Sequence, residues 1–278
     1  MVKFTTCASA PARISFPTLS RATKADGPTG KASALALNPK PPIITPCRSD
    51  RLPPIYNRPL ISQQKDCAAE NSLTLDVGAN IGSCTLLLVM MGTRVVAFEP
   101  NPHNLFFLTS SVKRLQPQDR QRLTLYAAGA GASAGEHKLF TQQGNFGNSI
   151  LDNPNQSDTV PLHTVFTVTL DEALWPDPSL PPPCIPLMKM DVQGFEVQAL
   201  QGAKRLLAAK AIKRIATEVA PSFLAAQGTT ASALIKLLVA AEFQFYGGLN
   251  YAEASNLAWL DAQATVNPMH GIDIVVSL

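Results

Sequence analysis

The sequence predicts an α/β fold: a doubly wound, mostly parallel sheet behind an irregular N-terminal leader. Three observations lead there. From residue 72 onward, short apolar runs alternate with helical stripes of period 3.6. The first run ends in a glycine turn that opens a helix, as strand-to-helix joints in such sheets do. Residues 1–70, in contrast, hold ten of the 23 prolines and sustain no apolar period.

Each element has a local reason. Residues 73–77 are a short apolar run ending at Gly78, read as a buried strand. Residues 81–91 form a helix stopped by Gly92, and residues 94–98 the next strand. Asn101 and Pro102 supply an N-cap and an N1 proline. Leu105, Leu108, Val112 and Leu115 give the stripe of the helix behind them, and residues 123–127 a third strand. Residues 128–185 break the rhythm. They are rich in Gly, Asn and Pro, with strands expected at 138–141 and 160–170. The alternation then resumes with a strand at 187–192 and a helix marked by Phe195, Ala199, Ala203 and Leu207. A strand at 212–219 and a helix through Leu234, Leu237, Leu238 and Ala241 follow, and strands at 243–246 and 272–277 close the chain. Residues 71–278 are therefore read as one domain with a polar insertion.

Charge separates the two parts. Residues 1–70 carry ten Lys/Arg against four Asp/Glu, and residues 71–278 carry thirteen against sixteen. A binder driven by phosphate neutralisation would place its basic patch on the folded body, so no nucleic-acid partner is expected. The first 49 residues hold seven basic residues, eleven Ser/Thr and one acid. That composition fits either an organellar transit peptide, hence chloroplast or mitochondrion, or a disordered tail on a cytoplasmic protein. No apolar stretch approaches the roughly 20 residues of a membrane span. The five scattered cysteines form no CxxC pair, so reduced thiols are expected. No His/Asp/Glu cluster has metal-ligand spacing, although a divalent ion on two carboxylates stays open. Nothing in the sequence sets the oligomeric state.

The densest signal is LTLDVGANIGSCTLLL at 73–88, followed by VVAFEP at 95–100. Gly78 and Gly82 let a ligand's polar backbone come close at a helix N-terminus. Glu99 ends the next strand, where a carboxylate accepts hydrogen bonds from ribose hydroxyls. The dinucleotide pattern G-x-G-x-x-G is absent because position 80 is Asn. An acid at Asp76 suits a positively charged cofactor, which favours S-adenosylmethionine over NAD and disfavours a nicotinamide oxidoreductase.

Four blocks in order, DVGANIG (76–82), AFEPNP (97–102), TLDEAL (169–174) and MKMDVQGFEVQALQGA (188–203), resemble the FkbM family of S-adenosylmethionine-dependent methyltransferases. The resemblance covers about residues 72–220 and implies a class I, Rossmann-like methyltransferase fold. It also implies methylation of a hydroxyl oxygen on a small-molecule, sugar or lipid-like acceptor. Its cofactor residues carry over to Asp76, Gly78, Asn80, Gly82 and Glu99, with a weaker match at Ala127 beside the adenine. In its K-x-D-V-E-G-x-E block Gln193 stands for the first glutamate, while Lys189, Asp191, Gly194 and Glu196 match. That departure motivates an alternative, an inactive module that binds the cofactor and regulates or docks a partner.

Asp191, ending the fourth strand, is the expected catalytic residue. It serves either as the acceptor's general base or as an orienting contact. Glu196 reads equally as helix-end stabilisation or catalysis, and Lys189 as an ion-pair partner. His103 and His163 are expected to be surface or structural residues. GNFGNSI at 144–150 is expected to be a mobile loop over the site, or an ordinary surface loop, with Phe146 a hydrophobic contact.

Overall fold

The computed structural model of the protein describes residues 3–5, 13–15, 67, 72–142, 145–152, 159–245 and 272–278. Its strands are β1 (Lys3–Thr5), β2 (Arg13–Ser15), β3 (Ser72–Val77), β4 (Val95–Phe98), β5 (Leu123–Tyr126), β6 (Gly129–Ala130) and β7 (Gly135–Gln142). After them come β8 (Asn145–Leu151), β9 (Thr159–Val168), β10 (Cys184–Met190), β11 (Arg214–Val219), β12 (Gln244–Phe245) and β13 (Ile272–Ser277). The helices are α1 (Ser83–Met90), α2 (Pro102–Val112), α3 (Pro117–Arg120) and α4 (Leu170–Leu174). The later ones are α5 (Glu196–Gln201), α6 (Lys204–Ala208), α7 (Pro221–Ala226) and α8 (Ala231–Ala240).

The main sheet runs β1-β2-β5-β4-β3-β10-β11-β13-β12. Its centre, β5 through β11, is parallel, and β13 enters antiparallel between β11 and β12. The doubly wound expectation holds. The central strands read as continuous apolar runs because helices cover both faces: Leu75, Val77, Met188 and Met190 are fully buried. From β3 the chain winds outward to β5, then returns across β3 to β10. The crevice of such a sheet opens where the winding reverses, above the carboxyl ends of β3 and β10.

The helix starts follow local chemistry. The Asn101 side chain accepts from the His103 amide and Pro102 occupies the first helical position, as its sequence predicts. The helix expected around residues 195–207 is two helices, broken at Gly202. A Cβ there would stand 2.0 Å from the Gly131 carbonyl oxygen. Asp171, from the TLDEAL block, accepts from the amides of Arg205 and Leu206 and so caps α6. That motif works in the frame of the fold.

Three expectations need correction. Residues 145–151 form strand β8 rather than a loop, within a second sheet of order β6-β9-β7-β8. Backbone pairing to β7 does not depend on side-chain propensity, so Gly and Asn there misled the reading. The Phe146 side chain and residues 143–144 lie outside what is described. Part of the leader pairs with the sheet, as β1 on β2 and β2 on the edge of β5. Finally, Cys67 and Cys184 form a disulfide rather than two thiols. Cys184 starts β10 opposite Ser72, so the chain entering β3 passes within bonding reach. Among the described residues no helix is long and apolar enough to cross a membrane.

Candidate active site

A cleft lies over the reversal point of the sheet. Its floor is the carboxyl edge of the main sheet: Gly78 and Asn80 after β3, Glu99 and Pro100 after β4, Gly129 and Ala130, and the loop Asp191–Val192–Gln193 after β10. Leu139, Ser149 and Leu151 of the second sheet form the opposite wall, with Phe195 packed against the two leucines. The polar insertion of the sequence is therefore the cover of the site.

Glu99 organises one wall of the cleft. It is 5% exposed. Its Oε2 accepts from the Asn80 amide at 2.7 Å, and its Oε1 from the Asn101 amide at 2.8 Å and from Asn104 Nδ2 at 3.3 Å. Burial pushes this carboxyl up to about 7, against the pull of those hydrogen bonds and of Lys189. Asn80, at φ 55°, turns its side chain onto the Ile81 amide, which fixes the bend that aims its own amide at Glu99.

Beneath the cleft lies a buried charge network. Asp76 is 0% exposed, accepts from the Thr85 hydroxyl at 2.5 Å, and faces Lys189 Nζ at 3.3 Å. Lys189 also donates to the Gly78 carbonyl at 2.6 Å and stands 3.8 Å from Asp191. Burial alone would lower the lysine, but Asp76 and Asp191 more than offset it and hold it above its ordinary value. Lys189 is thus the ion-pair partner its pattern implied.

The predicted residues separate into two groups. Gly78, Asn80, Glu99 and Asp191 meet on the cleft wall. Asp76 sits below it, with Lys189 as its cation. Gly82 lies off the wall; its φ is 95° and a Cβ would strike Leu108 of α2 at 2.2 Å. Gly78 also answers to protein before ligand: at φ 83°, a Cβ would stand 1.9 Å from the Asp191 carbonyl oxygen. Both glycines were expected to make room for a ligand, and both make room for neighbouring elements. Ala127 falls two residues short of the wall, which Gly129 and Ala130 form instead. His103 and His163 are exposed and stand ring to ring at 5.6 Å, outside the cleft lining. Sequence reasoning missed Asn104, whose place in the first turn after Asn101-Pro102 was the available signal. It also missed Leu139 and Leu151, while Ser149 belongs to the 144–150 segment expected over the site. Among the described residues, no three of His, Cys, Asp and Glu gather as a metal-holding group.

Glu196 closes the loop after β10. It is 3% exposed, accepts from the amides of Val192 and Gly194, and is pushed up to about 7 by burial. Of its two readings the structure displays the structural one. A carboxyl raised on folding stabilises fully below its unfolded pKa, and that contribution disappears as pH rises through about 7. Stability should therefore fall between pH 5 and pH 8, with Glu99 and Glu196 both contributing. Glu196→Gln should flatten part of that slope in thermal melts. An unchanged slope would show that Glu196 ionises freely in the fold.

A doubly wound sheet with a cleft above the carboxyl ends of its strands, at the reversal of the winding, places a ligand site where open α/β folds have theirs. The sequence pattern of the methyltransferase FkbM domain matches residues 76–245, and the chain belongs to that family. Among solved structures it is similar to methyltransferase FkbM from Methylobacillus flagellatus KT, at 19% identity and TM-score 0.46, over 76% of this chain and 44% of that one. This chain thus spans less than half of that protein's length. It is also similar to the glycopeptide N-methyltransferase MtfA (10% identity, TM-score 0.37, 80% and 88% of the two chains). A precorrin-6y C5,15-methyltransferase from Geobacter metallireducens GS-15 matches at 14% identity and TM-score 0.36, over 75% and 79%. No curated protein matches.

Proposed function

We propose that the cleft binds S-adenosylmethionine and that the protein methylates a hydroxyl of a small-molecule, sugar or lipid-like acceptor. The observation that carries this reading is Glu99, held by Asn80 and Asn101 amides on the same wall as Asp191. Oε2, with the Asn80 amide as its one donor here, keeps a lone pair for a ribose hydroxyl, while Oε1 is filled by Asn101 and Asn104. The cofactor, when bound, supplies a methyl group on a positively charged sulfur with a neutral leaving group.

The chain's residues do the rest. Glu99 and Asn80 fix the nucleoside. Leu139, Leu151 and Phe195 exclude water from the cleft. Asp191, with its side chain 43% exposed, takes the proton from the acceptor's hydroxyl, whose electron pair stays on oxygen. Methyl-labelled S-adenosylmethionine, incubated with the protein and a metabolite extract, should yield a labelled product identifiable by mass. Binding of S-adenosylhomocysteine without any labelled product would favour an inactive cofactor-binding module instead.

The basic composition of residues 1–70 we read as an organellar address, although part of the segment pairs with the sheet. A fluorescent fusion of residues 1–65 should enter an organelle, and a diffuse cytosolic signal would count against it.

A further inference from the structure

Gln193 stands where the family pattern has glutamate, and the mechanism above leaves it without a task. Its backbone lies at φ 52°, followed by Gly194 at φ 97°, where a Cβ would stand 2.3 Å from the Phe223 carbonyl oxygen. The loop therefore holds Gln193 in a conformation that L residues adopt at a cost. Its Nε2 donates to Asp191 Oδ1 at 2.8 Å, which leaves Oε1 as the other half of the amide. That oxygen is buried and has no hydrogen-bond partner among the described residues, although Gln193 lines the cleft. A buried acceptor without a donor is costly, and persists where a ligand supplies the donor.

The charges around this amide select the donor. Asp191 on the same loop, Glu196 of α5, Glu218 of β11 and Asp273 of β13 are all acids. Burial first, and then the charge of Asp191, hold Glu218 and Asp273 above the usual carboxylate range. The cation beneath, Lys189, is already engaged by Asp76 and the Gly78 carbonyl. An anionic group brought here would meet the like charge of Asp191.

We infer that Gln193 reads the methyl acceptor: its Oε1 accepts a hydrogen bond from an O–H or N–H on the acceptor, while its Nε2 fixes Asp191 alongside. The acceptor class that fits is a neutral polyol or an amine, and not a phosphate or carboxylate. This rests on reading the cleft as a methyl-transfer site. Gln193 is accordingly a specificity residue toward the acceptor and a positioning residue toward Asp191.

The test uses the full chain as wild type, Gln193→Met and Gln193→Glu, with S-adenosylhomocysteine and the labelled donor plus extract as probes. Gln193→Met should keep S-adenosylhomocysteine affinity within about threefold while label transfer falls by about ten- to a hundredfold. Gln193→Glu places two carboxyls within hydrogen-bond reach, where they share one proton. In carbon NMR that pair should titrate with one step raised by more than about one pH unit, and the acid limb of label transfer should follow it. Transfer unchanged in Gln193→Met would overturn the proposal. So would an equal loss of S-adenosylhomocysteine affinity, which would give the orphaned oxygen to the cofactor. A labelled wild-type product methylated on phosphate or carboxylate would overturn the acceptor class. Failure of the wild type to bind S-adenosylhomocysteine at all would instead remove the cofactor reading on which the inference stands.

Discussion

Lys189→Met is expected to destabilise the domain by about 3–5 kcal/mol, the range for stripping one partner from a buried ion pair. Methionine fills the same channel, so the loss is electrostatic rather than a cavity. Asp76, 0% exposed, would keep the Thr85 hydroxyl but lose the Lys189 cation, and the Gly78 carbonyl would lose its donor. Against a total stability of ~5–15 kcal/mol, such a loss removes a third or more of the margin. Denaturant unfolding followed by circular dichroism measures it. Asp76→Asn combined with Lys189→Met should recover a substantial part, since no unpaired buried charge remains. A Lys189→Met protein as stable as the wild type would show that the pair is not desolvated in solution.

The second large effect belongs to Asp191. Its carboxylate faces the cleft with Oδ1 engaged by Gln193 and Oδ2 3.8 Å from Lys189. As the acceptor's base, it should cost ~10²–10⁴-fold in kcat when replaced by Asn, the range for removing a general base. The amide keeps the side chain's shape, so S-adenosylhomocysteine affinity should change far less. A matching loss of affinity would move Asp191 from base to cofactor contact. Wild-type kcat with wild-type affinity would take it out of the site.

The sequence was informative where backbone geometry and burial leave few options. Residues 75, 77, 188 and 190 read as central parallel strands because both faces of such strands are covered. Glu99 and Asp191 fell on one wall because β4 and β10 lie on either side of β3 and end at the same edge of the parallel sheet. The glycines were found for a partly wrong reason. Gly78 and Gly82 are required by contacts with Asp191 and Leu108, partners distant in sequence that no local pattern announces. Gly78→Val would thus act by displacing the Asp191 backbone. The cover of the site was legible in part: residues 144–150 read as lying over it, though as a loop. Leu139, Ser149 and Leu151 reach the cleft through cross-strand pairing of β7 with β8, and the Gly and Asn of β8 leave no periodic apolar trace. The Cys67–Cys184 bond, 117 residues apart, was likewise set by the register of β10 on β3 rather than by spacing.

The central claim, that Glu99 receives the ribose of a nucleoside cofactor, is tested most directly by calorimetry of S-adenosylhomocysteine binding between pH 5.5 and 8.5. Burial holds the free carboxyl near 7, and ribose hydroxyls donate best to its ionised form. Wild-type affinity should therefore rise with pH up to about 7 and then level off, with a proton released on binding below that point. Glu99→Gln should bind more weakly at pH 8 by the ~1.5–3 kcal/mol of a charged hydrogen bond, and its affinity should lose that pH dependence. Equal affinity in the two proteins, with the same flat pH profile, would contradict the account.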